Sequence, residues 1–255
     1  MKKFFVFVFV TVSLSVTQLW SQAVYPSEAQ QFPKESRNFR IPLIGETAPS
    51  FTAESTNGTV HFPSDFGKSW KILFSHPQDF TPVCSTEILE LARLQAEFDK
   101  LGVKLVVVST DKLDTHVEWK KSLESIKLKS NEPVNIKFPL VDDKNLSISK
   151  KYGMIHAATN TTEAVRGVYI IDPDNFIQAI YFYPRSVGRS TDELLRVVEA
   201  LKSTSSKEYL SPVNWKPGND LLVPIPPKTD ANSATAVPEG YYSPVWYLWF
   251  KKANL

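Results

Sequence analysis

One stretch of the chain concentrates residues able to do chemistry: Phe74-Ser75-His76-Pro77-Gln78-Asp79-Phe80-Thr81-Pro82-Val83-Cys84-Ser85-Thr86-Glu87. It holds the sole cysteine, Cys84. A cysteine acts as a nucleophile through its thiolate. A lone cysteine cannot close an internal disulfide. It is a buried inert residue, an intermolecular staple or a free reactive thiol.

The neighbours of Cys84 favour the reactive form. Thr81 is a good N-cap residue and Pro82 suits the first helical position. Cys84 then falls in the first turn of a helix, where unpaired N–H groups and the positive end of the helix dipole favour an anion. The Thr81 hydroxyl lies one turn back and can both donate and accept. Pro77 supplies a rigid wall without a donor, which shields a thiolate from water. Thiolate attack needs the substrate held in line and the charge on the leaving group stabilised.

The flanking elements must position this stretch. Lys71–Ser75 is apolar in its middle and reads as a central strand. The helix from Pro82 carries an apolar stripe of Ile88, Leu91, Leu94, Phe98 and Leu101, and Gly102 is its stop. That stripe extends back through position 84 and predicts a partly buried sulfur at the base of a pocket. Val103–Ser109 reads as a second buried strand, parallel to the first. Phe51–Phe62 reads as a hairpin around Asn57-Gly58. A helix is expected from Asp114 to about Ser122, capped by Asp114 or Asp111. Phe138–Val141 is a short strand and Leu146–Tyr152 a short helix ended by Gly153. Val165–Ile171 and Phe176–Tyr183 form a hairpin, and Thr191–Ser203 is a capped helix. After Ser206 the prolines exclude long helices, and the chain ends in an aromatic run from Tyr241 to Phe250.

Composition narrows the function. A net charge of +2 argues against a nucleic-acid partner, and nine glycines among 255 residues include no phosphate-cradling loop. His61, His116 and His156 lack metal-ligand spacing, so no metal is assigned, and no cofactor signature is present. Lys2-Lys3, the apolar run Phe4–Val16 and Ser21-Gln22-Ala23 together read as a secretory signal over residues 1–23, with cleavage leaving no stable membrane anchor. The expected location is therefore periplasmic or secreted. A linker follows over 24–43, then one domain over 44–205 and an extension over 206–255.

The motif Pro77-x-x-x-Thr81-x-x-Cys84 resembles the active-site signature of the peroxiredoxins, the alkyl hydroperoxide reductase and thiol-specific antioxidant family. The longer stretch from Phe74 to Glu87 is similar to the one-cysteine subfamily. The resemblance runs from about Ile44 to Phe250. It includes Ala48-Pro49-x-Phe51, Val108-Ser109-x-Asp111, Phe138-Pro139 with Asp142-Asp143, and Pro212-Val213-x-Trp215-Lys216-x-Gly218. It implies a thioredoxin-like α/β fold with a mixed central sheet flanked by helices, extended at the C-terminus, and a homodimer.

By the same resemblance, Arg166 stabilises the thiolate and the transition state. Arg189 lies near the same pocket, and Glu87 orients the arginines. His76 matches a histidine of the one-cysteine branch, and reads more readily as a packed, hydrogen-bonded ring than as an acid or base. The implied activity is reduction of hydrogen peroxide and organic hydroperoxides through a Cys84 sulfenic acid. With no second cysteine, an external thiol completes the cycle. Three further readings compete with this one, among them a non-enzymatic chaperone or binding protein whose aromatic tail carries the function. A thioredoxin-like exchanger needs Cys-x-x-Cys, which is absent. The phospholipase activity credited to mammalian one-cysteine relatives uses Gly-x-Ser-x-Gly. Here that stretch is Gly67-Lys68-Ser69-Trp70-Lys71, and the position of the partner histidine reads Pro63 or Ser64.

Overall fold

The computed structural model describes residues 40–127, 133–224 and 239–253. The signal reading over 1–23 and most of the linker lie outside the described residues. Ten strands and four α-helices are described: β1 (Phe51–Ala53), β2 (Val60–Phe62), β3 (Trp70–Ser75), α1 (Pro82–Lys100), β4 (Val103–Ser109), α2 (Leu113–Glu124), β5 (Leu140–Asp142), α3 (Ser147–Lys151), β6 (Arg166–Ile171), β7 (Ile177–Tyr183), α4 (Thr191–Ser203), β8 (Leu221–Val223), β9 (Tyr241–Val245) and β10 (Leu248–Lys251).

The main sheet has the order β5-β4-β3-β6-β7, which puts β3 at its centre. β3, β4 and β5 run parallel, whereas β6 is antiparallel to β3 and to β7. This is the mixed sheet of a thioredoxin-like α/β fold. Alternation along each strand sends side chains to opposite faces. On one face, Ile72 and Phe74 of β3 share a core with Leu105, Val107, Leu140, Val168 and Ile170 of the other strands. That core is closed by Leu91, Phe98, Trp119, Leu123, Leu194 and Val198 of α1, α2 and α4. Leu73, Val106, Val108, Tyr169 and Ile171 face the other way, onto Phe51, Phe62, Ile148, Tyr152 and Met154. Because both faces are covered, every residue of β3 is buried, Lys71 included. The Lys71 ammonium donates to Asn175 Oδ1 at 2.6 Å, which holds the β6–β7 turn.

Local departures from the sequence reading have identifiable causes. The two-residue turn closing the β1–β2 arm is Thr56-Asn57, one position earlier than expected, with Ser55 and Gly58 exchanging backbone hydrogen bonds at 3.1 Å. Thr56 is drawn onto Leu140: its N–H donates to the Leu140 carbonyl at 3.0 Å, and its Oγ1 accepts from the Leu140 N–H at 3.1 Å. Neither Asp111 nor Asp114 caps α2. Its N-cap is Lys112, without a side-chain cap bond, and the Leu113 N–H donates to Asp142 Oδ2, at the end of β5, at 3.1 Å. Gly153 does end α3, with φ +61°, and a Cβ there would lie 2.4 Å from Ile41 Cγ1.

The C-terminal residues form a separate three-stranded sheet, ordered β8-β10-β9. The aromatic run is its β9–β10 hairpin. Tyr242 and Phe250 stack at 4.9 Å, while Trp246 and Tyr247 at the tip are 77% and 56% exposed. Arg196 on α4 donates to the Trp215 carbonyl at 3.2 Å, fixing the start of this segment.

Asp142 provides a test of the remote cap. Burial acts to raise its pKa, but hydrogen bonds from Lys144 and Leu113 outweigh burial and hold the carboxyl below its usual value. A carboxyl lowered in this way adds stability above its unfolded value, and that stability is lost as pH falls through the folded value. Asp142→Ala is expected to lower unfolding free energy by about 1–2 kcal/mol near neutral pH, with the deficit shrinking on acidification. Denaturant melts at several pH values check this, and a pH-independent deficit contradicts it.

Candidate active site

The site forms where the central strand ends. β3 stops at Ser75, the loop 76–81 turns, and α1 starts at Pro82. The turn passes through Phe80, whose φ of +54° lies in the left-handed region. Such a conformation is uncommon for a bulky residue and is held by its surroundings. Here the Asp79 N–H donates to Asp111 Oδ2 at 2.8 Å, and the Phe80 ring lies 6.5 Å from that of Trp119.

Thr81 occupies the N-cap position of α1, but its side chain does not cap. Its Oγ1 donates to the Gln78 carbonyl at 2.9 Å, and its own carbonyl accepts the Ser85 N–H at 2.9 Å. The first-turn amides, that of Cys84 among them, therefore lack the side-chain acceptor expected from the sequence. The hydroxyl, with its proton committed to Gln78, has lone pairs to offer.

Cys84 is fully buried rather than partly exposed. The reason is that position 84 continues the Ile88–Leu91 stripe, and the core closes over it. Arg166 Nη1 donates to its Sγ at 3.3 Å. Arg166 opens β6. The antiparallel register pairs Val168 with Phe74, so Arg166 lies beside the start of the loop. Its Nε and Nη2 donate to the Arg185 carbonyl at 2.9 and 2.6 Å.

Glu87 lies three residues after Cys84, on the same side of α1. Its Oε2 accepts Arg166 Nη1 at 2.7 Å and Arg189 Nη2 at 2.8 Å. Its Oε1 accepts both the N–H and Nε of Arg189 at 2.8 Å. Arg189 Nη1 reaches the Ser75 and Gly167 carbonyls at 2.8 Å, and its guanidinium stacks 3.3 Å above the Phe74 ring. Arg166, Arg189 and Glu87 are all buried. Burial acts to raise the Glu87 pKa, but the Arg189 bonds and the nearby Arg166 charge override it and hold the carboxyl below its usual value.

A second buried group adjoins the loop, and the sequence reading missed it. Both oxygens of Asp79 face histidines: Oδ1 meets His76 Nε2 at 2.7 Å and Oδ2 meets His116 Nδ1 at 2.6 Å. His116 Nε2 lies 3.2 Å from the Val141 carbonyl. Burial pushes His76 below its usual value despite the Asp79 bond. The only sequence signal was the three-residue spacing of His76 and Asp79. His116 joins them from α2. His76, Asp79 and Asp111 are close enough to attract a metal, yet their facing oxygens are engaged within the cluster. His61 instead pairs with Asp65, at 3.3 Å. Ser69 follows the exposed turn at Gly67, and Lys71 is buried in β3, so this segment leads into a strand and is not a strand-to-helix nucleophile turn.

A recess of about 180 Å³ lies over the site, lined by Pro77, Thr81, Pro82, Val83, Arg166 and Arg185. The structure thus gathers Pro77, Thr81 and Arg166 around one opening, and Arg166 links that opening to the buried Cys84. Glu87 and Arg189 sit behind it, and His76 is turned toward Asp79.

Comparison with known proteins agrees with this geometry. Residues 44–180 match the AhpC/TSA family model. A peroxiredoxin of Methanosarcina mazei is 41% identical over 215 residues, covering 83% of this chain and 98% of the relative. A solved yeast mitochondrial 1-Cys peroxiredoxin, described for thiol resolution via glutathione/thioredoxin systems, superposes with a TM-score of 0.72 at 36% identity, covering 83% of this chain and 100% of that one. A cysteine-to-serine mutant of the Peroxiredoxin 6 of Arenicola marina superposes with a TM-score of 0.69 at 32% identity, covering 83% and 98%. The chain therefore belongs to the AhpC/TSA family, the peroxiredoxins.

Proposed function

We propose that Cys84 is the nucleophile of this thiol-dependent peroxidase and that Arg166, Thr81 and Pro77 form its working surface. The observation that carries this is the 3.3 Å bond from Arg166 to the sulfur. Two buried guanidinium groups face one carboxylate, Glu87. One positive charge is left over beside Cys84, and an anionic sulfur balances it. The sulfur attacks one peroxide oxygen. An S–O bond forms, the O–O bond breaks, and the leaving oxygen departs with the electron pair and takes up a proton as water or alcohol. Arg166 stabilises the charge on that oxygen as it develops. Thr81 Oγ1 accepts the hydrogen bond of the incoming peroxide, and Pro77 keeps competing donors away. Glu87 and Arg189 are positioning residues that act through Arg166.

Recovery needs two thiols from outside the chain, because Cys84 is the only cysteine. The first displaces water from the sulfenic acid to give a mixed disulfide. The second releases Cys84 and leaves as the external disulfide. The glutathione/thioredoxin systems named for the yeast relative are the class of reductant to test. Mature protein with dithiothreitol should consume hydrogen peroxide and organic hydroperoxides, and Cys84 should gain one oxygen after one equivalent of peroxide. Cys84→Ser should abolish turnover, and Arg166→Ala should slow it roughly a hundredfold or more. Equal activity in the serine variant refutes the nucleophile, and an unchanged rate in Arg166→Ala removes that arginine from the site.

A homodimer through the C-terminal sheet is supported by the exposed tip, with Val245, Trp246 and Tyr247 41%, 77% and 56% exposed. Apolar groups clustered in this way suit a protein contact. Sedimentation equilibrium should give a dimer, and Trp246→Asp should shift it toward monomer. A wild-type monomer ends this reading.

Export is supported by the basic, apolar and small-residue order of the first 23 residues. The mature protein from its host should begin near Val24, outside the cytoplasm. An intact Met1 in a cytoplasmic fraction excludes export.

A further inference from the structure

The recess lined by Arg166, about 180 Å³, equals roughly six water molecules of liquid volume. It admits a hydroperoxide or a thiol group with a few attached atoms. The remainder of any larger substrate must lie at the opening, where Arg185 forms part of the lining.

Arg185 has two separate roles in the geometry. Its carbonyl accepts two bonds from Arg166. Its side chain pairs with Glu163, the two side chains being 43% and 24% exposed. Glu163 is set in place by Asn160, whose Oδ1 accepts the N–H groups of Thr162 and Glu163 at 2.8 and 3.2 Å. The buried arginines are already engaged. Arg166 is bonded to Cys84, Glu87 and the Arg185 carbonyl, and Arg189 to Glu87 and two carbonyls. Arg185 keeps part of its surface in solvent, while the Glu163 oxygen it meets is buried, so a carboxylate from solvent must join or displace Glu163 at the guanidinium. A guanidinium offers a planar fork that matches a carboxylate.

We propose that Arg185 is an anion contact at the mouth of the recess, selecting substrates that carry a carboxylate near the reacting group, and that Glu163 competes for it. This rests on the peroxidase reading of Cys84. The carboxylate belongs either to the hydroperoxide or to the reducing thiol, and the two half-reactions separate these sources.

The test uses the full chain in single turnovers. Oxidation of Cys84 is timed with a short-chain hydroperoxy acid and with its methyl ester. Reduction of the sulfenic form is timed with 3-mercaptopropionate and with its methyl ester. The readout is the acid-to-ester rate ratio, which cancels general damage to the site. Arg185→Gln should lower the ratio about fivefold in the half-reaction whose substrate uses the contact, the upper range for a partly exposed ion pair. Arg185→Lys should retain part of the ratio, and Glu163→Gln should raise it. A fall in the oxidation arm assigns the carboxylate to the hydroperoxide, and a fall in the reduction arm assigns it to the thiol. Ratios unchanged in both arms overturn the contact, and an unchanged ratio in Glu163→Gln overturns the competition. Hydrogen peroxide is run alongside. Failure of the unaltered protein to oxidise Cys84 with it overturns the underlying peroxidase reading, whereas normal oxidation with unmoved ratios overturns only the role of Arg185.

Discussion

The site depends on one carboxylate holding two buried arginines. Without Glu87, Arg166 and Arg189 would face each other in the interior as unpaired cations. A buried charge deprived of its partner is far more costly than a surface one. Glu87 is placed by helix geometry, one turn beyond Cys84, so the segment that presents the sulfur also presents the anchor for its cations. The two arginines arrive from the start of β6 and from the loop before α4. Three elements distant in sequence are thereby joined at the end of the central strand.

The architecture explains why this end of the sheet carries the chemistry. β3, β4 and β5 run parallel, and their C-terminal ends release loops in one direction. In open α/β sheets such ends form the usual crevice for ligands. The antiparallel β6 starts at the same edge and delivers Arg166 there. On the opposite side of the loop, Asp79 joins His76 to His116 and so ties the Cys84 segment to α2. The loop is held from both flanks, and the left-handed Phe80 is the bend between them.

The linear features of the sequence translated well. The strand before Cys84, the proline at the start of α1, its apolar stripe and the capped helix α4 follow from local rules of spacing and capping. Arg166, Arg189 and Glu87 carry no local signal, and their assembly was expected only from family resemblance. What stayed hidden was set by contacts between distant segments. Asp142 serves α2 from 29 residues away, and His116 reaches Asp79 across 37. Thr81 shows the same limit at short range: its type and position suit a cap, but the bend at Phe80 turns its hydroxyl to Gln78. The depth of Cys84 was also understated, because one apolar stripe does not reveal how many elements close over it.

That depth separates the sulfur from the surface that a partner meets. With no exposed surface on Cys84, what any partner meets first is the lining of the recess, Arg166 with Pro77, Thr81, Pro82 and Val83. The bond from Arg166 to Sγ is the link between that lining and the sulfur.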